Sequence, residues 1–209
     1  MGRLLVALLA MGLVACQNET HAVISPVPSP TPHTAPTAAI LQSGDVPAGL
    51  IVCLGSGPID VYLSVLGDAD ATLAARQTTQ WQALRQLGAK GAAMSLFTSD
   101  ASACKAEFGA VGNVKAMTSF VAQFADEGEA DRAWQAGVFG FAPPPPGEVS
   151  SGLTRGASTG LGASSFVYDR PSVRLASWRR SLFVALVVVS NLDLNTFHAA
   201  TGAVDPRLN

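Results

Sequence analysis

Charge is scarce in this chain. Only 13% of its residues are charged, and acids outnumber bases by two, 15 against 13. A net charge of −2 leaves no basic field of the kind a phosphate backbone requires, so nucleic acid is excluded as a partner. Histidine occurs three times, as His21, His33 and His198, and cysteine three times, as Cys16, Cys53 and Cys104. No cysteine has a second Cys or His at ligand spacing, which argues against a zinc site. The glycine-rich strings Gly55-Ser56-Gly57-Pro58 and Gly109 to Gly112 lack the lysine and the spacing of a phosphate-cradling loop. No cofactor is expected. Apolar runs are short as well: Leu4 to Leu13 and Leu182 to Val189 both fall well below the ~20 residues of a membrane-spanning helix.

What the chain does carry begins at its first residue. Met1-Gly2-Arg3 supplies one positive charge, Leu4 to Leu13 is almost unbroken apolar sequence, and Leu13-Val14-Ala15-Cys16 closes it. A basic start, an apolar stretch and small residues at the cut are the parts of a secretory signal. The string Leu13-Val14-Ala15-Cys16 resembles the lipobox of bacterial lipoprotein precursors. The resemblance covers residues 1–16 only. It implies a signal peptide over 1–15, cleavage before Cys16, acylation of that thiol with palmitate-type chains, and a life anchored to the bacterial cell membrane on its extracytoplasmic side. Two or more acyl chains hold stably, at about 0.8 kcal/mol per buried CH₂. An ordinary signal peptide with an incidental Cys16 is the alternative.

Residues 16–39 read as a lipidated N-terminus and tether. Pro26, Pro28, Pro30, Pro32 and Pro36 alternate with small and polar residues, so no apolar face can form and the backbone loses donors. Such a segment is semi-extended, at about 3.1 Å per residue where polyproline II holds. If Cys16 takes lipid, Cys53 and Cys104 remain as an even pair in an oxidising compartment, where a disulfide persists. Two buried free thiols are the other possibility.

Residues 40–209 are enough for one domain. Asp45-Val46-Pro47-Ala48-Gly49 reads as an opening turn, and Ile59 to Leu66 mixes β-formers and is read as a possible strand. Asp68 or Asp70 can cap a helix to about Leu87, with Leu73, Ala74, Trp81, Leu84 and Leu87 on one face and Gly88 as its stop. Ala92 to Thr98 predicts a short strand. Val114 to Ala125 predicts a longer one, with one face packed and the Lys115, Ser119 and Gln123 face partly wet. Asp126 predicts a second helix cap, with Glu127, Glu129 and Asp131 in the first turn. Pro143 through Gly160 reads as a long break. Strands follow at Ala163 to Tyr168, Val173 to Trp178 and Leu182 to Val189, the last as the central strand, and a short helix near Leu194 to Ala200 closes the chain. The expected fold class is α+β, an antiparallel sheet with two or three helices packed mainly on one face. In element order the body resembles envelope lipoproteins of high-GC bacteria, the extracellular sensor domains of bacterial Ser/Thr kinases, and PsbP-like domains. That likeness carries no functional residues.

Gly156-Ala157-Ser158-Thr159-Gly160 matches the G-x-S-x-G string of α/β-hydrolases, and Asp169 or Asp193 and then His198 follow in triad order. A nucleophile elbow needs a strand feeding a sharp turn into a helix, and here Ser150-Ser151-Gly152 lies upstream instead. A flexible surface loop explains the string better. Arg170, Arg174, Arg179 and Arg180 are the one concentration of positive charge, and with Trp81 and Trp134 they form the expected ligand or partner surface. The leading expectation is thus a membrane-anchored extracytoplasmic lipoprotein with a non-catalytic domain that binds a small ligand or an envelope protein. The alternatives are a secreted serine hydrolase using Ser158 and His198, and a structural envelope protein with no small ligand. Replacing Cys16 by serine in the expressing bacterium is expected to move the protein from the membrane fraction to the soluble fraction and to remove the acyl mass from its N-terminus, as intact-mass spectrometry would read.

Overall fold

The structure is a computed structural model and describes residues 34–208. The lipobox, Cys16 and most of the tether lie outside the described residues. The order of elements is α1 (Pro36–Ala39), β1 (Ile51–Val52), β2 (Gly57–Pro58), α2 (Ile59–Ala69), α3 (Ala71–Gln86), β3 (Ala89–Thr98), β4 (Ala116–Phe124), α4 (Glu127–Ala136), β5 (Leu153–Arg155), β6 (Ser165–Asp169), β7 (Val173–Arg180), β8 (Phe183–Ser190) and α5 (Leu194–Val204). The strands form one eight-stranded antiparallel sheet in the order β1-β3-β4-β8-β7-β6-β5, with β2 also paired to β3. This is the expected α+β class.

The last apolar run, Phe183-Val184-Ala185-Leu186-Val187-Val188-Val189-Ser190, is the central strand and is buried at every position. A strand buried on both faces reads as continuous apolar sequence because neither set of alternate side chains meets water. One face is covered by α2, α3 and α4, which contribute Ile59, Leu63, Leu73, Trp81, Leu84, Ala133 and Trp134 to the core. The other is covered by Phe197, Ala200 and Val204 of α5, by Leu208, and by Ala39 to Leu41. Helices therefore sit mainly on one face, as expected, and α5 with α1 closes the second.

That second cover refines the reading of β4. Lys115 is exposed and Gln123 half-buried on the face read as partly wet, but between them Ser119 is buried, accepts the Leu41 N–H at 2.8 Å and shares a hydrogen bond with Ser95 at 2.8 Å. The tether boundary moves too. Residues 36–39 are helical and Ala39 is fully buried, so the body takes in the last residues read as tether.

Two further elements differ from expectation. Ile59 to Leu66 belongs to a helix, because Ile59, Tyr62, Leu63 and Leu66 recur at helical spacing and all four are buried on one stripe. The break from Pro143 to Gly160 contains a short edge strand, β5, which the surrounding Pro, Ser and Gly concealed. The caps follow the sequence: Asp70 accepts from the Leu73 N–H, Asp126 from Glu129 and Asp193 from Thr196. Among the described residues no helix is long and apolar enough to cross a membrane.

Cys53, just after β1, is bonded to Cys104 in the turn after β3, with the Cα atoms 5.5 Å apart and a sequence separation of 51. A loop of that length corresponds to about 4 kcal/mol of stabilisation on the chain-entropy model. At the opposite side of the body, Arg207 grips Asp45 with two nitrogens, each at 2.8 Å, and donates to the Ile40 carbonyl at 3.1 Å. Asp45 also accepts the Gln42 N–H. The Arg207 guanidinium holds the Asp45 carboxyl below the usual carboxylate range, against the opposing effect of its burial. A depressed folded value means that the contribution is complete above the unfolded value, about 3.9, and is lost as pH falls through the folded one. Asp45→Asn is expected to cost about 1–2 kcal/mol in urea denaturation at neutral pH. The difference from the parent protein should shrink as the pH drops below about 4.

Candidate functional site

The helix layer does not cover its face of the sheet completely. Trp134 of α4 packs over Phe166 of β6, at 6.4 Å between ring centroids, and so closes the row Phe120, Leu186, Ser177 and Phe166, which are neighbours in register across β4, β8, β7 and β6. Two residues along each strand lies the next row, Val188, Leu175 and Tyr168, again in register. No helix lies over this row. It forms the floor of a cleft of about 710 Å³, within the ~300–1,000 Å³ usual for small-molecule sites.

The walls are aromatic. Phe108 rises from the turn between β3 and β4; Phe139 and Phe141 come from the chain just after α4. Phe139 meets Phe120 edge-on at 4.8 Å and Phe108 edge-on at 6.0 Å, while Phe141 lies 5.8 Å from Phe108. Edge-to-face contacts of this kind add about 0.5–1.5 kcal/mol beyond burial. The backbone beneath them is strained. Phe108 has φ +53° and Phe139 φ +49°, a left-handed conformation that costs roughly 1–2 kcal/mol for a residue with a Cβ. Phe139 and Gly140 occupy the two central positions of a tight turn closed by mutual Val138–Phe141 backbone hydrogen bonds, positions that usually take Asn or Gly. The Thr118 hydroxyl donates to the Phe108 carbonyl at 3.0 Å and fixes the other wall. Gly109, at φ +68°, lets the chain pass there; a Cβ would lie 2.8 Å from that of Ala116.

The Phe139 wall continues into a proline strap, Pro143 to Pro146, and returns to the rim at Glu148 and Ser150. Arg155 of β5 holds this strap by its carbonyls: Pro144 at 3.1 Å, Pro145 at 2.6 Å and Glu148 at 2.7 Å. At the mouth Glu107 pairs with Arg76 at 2.8 Å, and Glu148 accepts the Ser150 hydroxyl. Arg170 lies exposed in the β6–β7 turn; its carbonyl accepts the Val173 N–H at 3.2 Å, while its guanidinium makes no ion pair or hydrogen bond with any described residue.

The residues singled out from sequence fall elsewhere, Arg170 excepted. Trp81, Trp134 and Trp178 are buried in the two core layers. Trp81 donates to Asp60 at 3.2 Å, while the indole nitrogens of Trp134 and Trp178 have no partner among the described residues. Trp134 nonetheless lines a second cavity, of about 440 Å³, with the Pro143 to Pro146 segment and Arg155. Three of the four arginines are neutralised where they stand. Arg174 Nε lies 2.7 Å from Asp169, an ion pair off the N–H direction, and its Nη1 donates to Leu192. Arg179 pairs with Glu127 and Asp131, and Arg180 grips Asp205 with two nitrogens. The expected basic surface is therefore reduced to Arg170. Ser158, His198 and Asp169 do share a small cavity of about 160 Å³. No hydrogen bond joins Ser158 to His198 among the described residues, Asp169 is held by Arg174, and Asp193 is engaged as a helix cap. The serine also sits in a 3₁₀ turn between two strands, with no helix behind it to build an elbow.

Sequence reasoning missed the cleft because its walls lie in segments without periodicity. The available signal was Phe108-Gly109 and Phe139-Gly140-Phe141: aromatic residues beside glycine, outside any helix or strand pattern. No group of three or more potential metal ligands gathers among the described residues. Comparison with protein-family models, curated proteins and solved structures finds no match. Arg155→Met is expected to free the strap and leave the sheet intact: limited proteolysis should cut within residues 143–150 several-fold faster, with circular dichroism unchanged.

Proposed function

We propose that this chain is a lipid-anchored, extracytoplasmic bacterial lipoprotein whose body is a non-catalytic binding domain, and that its ligand occupies the cleft over Val188, Leu175 and Tyr168. The observation that carries the reading is the pair of phenylalanines held in left-handed backbone around an apolar space of about 710 Å³. The strain is held by the packing of the two rings on each other and of Phe139 on Phe120, which keeps them as walls of the space. A cleft with apolar walls, a few polar groups at its mouth and little that titrates suits capture rather than reaction. The hydrolase alternative lacks its proton relay, with Ser158 unbonded to His198 and Asp169 committed to Arg174. The address rests on Leu13-Val14-Ala15-Cys16, and a disulfide between Cys53 and Cys104 is in keeping with an oxidising compartment.

The test is binding of a neutral apolar fluorophore, 1-N-phenylnaphthylamine, to the chain carrying Cys16→Ser, so that no acyl chain competes. Saturable binding is expected. Val173 lies at the rim and is 37% exposed, so Val173→Trp should occlude the cleft without disturbing the core. It should weaken binding about tenfold or more, a change of about 1.4 kcal/mol. Absence of saturable binding, or equal binding by Val173→Trp, would remove the cleft from consideration.

A further inference from the structure

Charge at the cleft mouth is unevenly compensated. Two of the three carboxylates there are held in ion pairs, and the third, Glu148, meets only a neutral hydroxyl. Glu107 is paired with Arg76 at 2.8 Å. Asp169, next to Arg170 in the chain, is taken by Arg174 at 2.7 Å and so does not neutralise its neighbour. Glu148 accepts the Ser150 hydroxyl, and the Arg155 guanidinium is bound to its own backbone carbonyl. The Arg170 guanidinium has no partner among the described residues, although it stands on the same rim. Among the guanidinium groups at the opening, that of Arg170 alone lacks a partner among the described residues, and it carries five N–H donors in a planar fork that fits a carboxylate or phosphate. Beneath it the surface is apolar, from Val173 at the lip down to Leu175 and Val188.

We infer that the cleft takes a soluble amphipathic anion, its apolar body on the Val188–Leu175–Tyr168 floor and its acidic head on Arg170. This rests on the cleft being the binding site and adds the chemical class of the ligand. A neutral apolar ligand would leave the Arg170 fork idle, and a cationic one would meet it as a like charge. Tyr168, half-buried where the floor approaches the rim, offers a ring to the part of the ligand between head and tail.

The experiment displaces 1-N-phenylnaphthylamine from the Cys16→Ser chain with three ligands of equal tail length: dodecanoate, dodecanol and dodecyltrimethylammonium, each below its micelle concentration. Dodecanoate should compete about tenfold more strongly than dodecanol, and the cation more weakly than either. Arg170→Gln should bring dodecanoate to within about twofold of dodecanol, both read against the fluorophore affinity of that same variant. Equal competition by acid and alcohol, preference for the cation, or an Arg170→Gln chain that still favours dodecanoate would each overturn the anion, while fluorophore binding shows the cleft itself to be sound. Failure of the fluorophore to bind would instead sink the cleft and this inference with it. Capture by phosphatidylglycerol vesicles without competition from dodecanoate would assign Arg170 to a bilayer surface and also overturn it.

Discussion

Everything in this body depends on keeping both faces of β8 dry. Eight consecutive buried residues, Phe183 to Ser190, leave no polar side on which the sheet could meet water. Each face must then be roofed, and the chain divides its helices to do so: α2, α3 and α4 over one side, α5 and the short α1 over the other. Burial of a Val, Leu or Phe side chain contributes about 1.5–3 kcal/mol, so a strand of this composition outweighs any single surface contact in the molecule. Ser119 shows how completely the second roof closes. Its hydroxyl takes the Leu41 N–H and meets Ser95, so polar groups at the centre of the sheet are satisfied by one another in place of solvent.

The cleft follows from the same demand, met incompletely. The α4 helix reaches the row of Phe166 and stops at Gly137, one row short of Tyr168. Two turns supply the missing cover with phenylalanine rings, and their backbones must bend left-handed to present them. Rings delivered from turns line the space without filling it. The result is an apolar recess whose walls are loops and whose floor is rigid sheet, an arrangement common to binding sites because loops adapt while the scaffold holds position. The proline strap behind one wall is held through its carbonyl groups by Arg155, which fits a segment whose prolines have no N–H to offer.

Periodicity made much of this fold legible. The stripe of Leu73, Ala74, Trp81 and Leu84, the Asp70 and Asp126 caps, and the valine-rich run of β8 each announce themselves by spacing or composition. The Ile59 to Leu66 segment did not, because Val61 and Val65 favour a strand locally and only the burial of Ile59, Tyr62, Leu63 and Leu66 on one stripe decides for helix. The face of β4 read as partly wet is so only at its ends, Lys115 and Gln123: Ser119 looks like a solvent-facing residue until α1 and α5 are laid over it. The cleft was out of reach altogether. Its floor is a row across three strands whose register no single segment encodes, and its walls depend on backbone angles that ordinary residues avoid. The arginines show the limit from the other side, since proximity in sequence says nothing of Glu127, Asp131 and Asp205 waiting across the fold.

The Arg207–Asp45 clamp has a mechanical meaning. The chain enters the body at α1, and Arg207, close to its far end, holds both Asp45 and the Ile40 carbonyl. Tension arriving from the residues ahead of Thr34 would reach Ala39 to Leu41 first, and those residues are pinned between the sheet and the C-terminal turn. The C-terminus therefore acts as a buckle on the N-terminal strap. A body hung from a surface by its leading end would carry its load through that buckle, on the face of the sheet opposite the cleft.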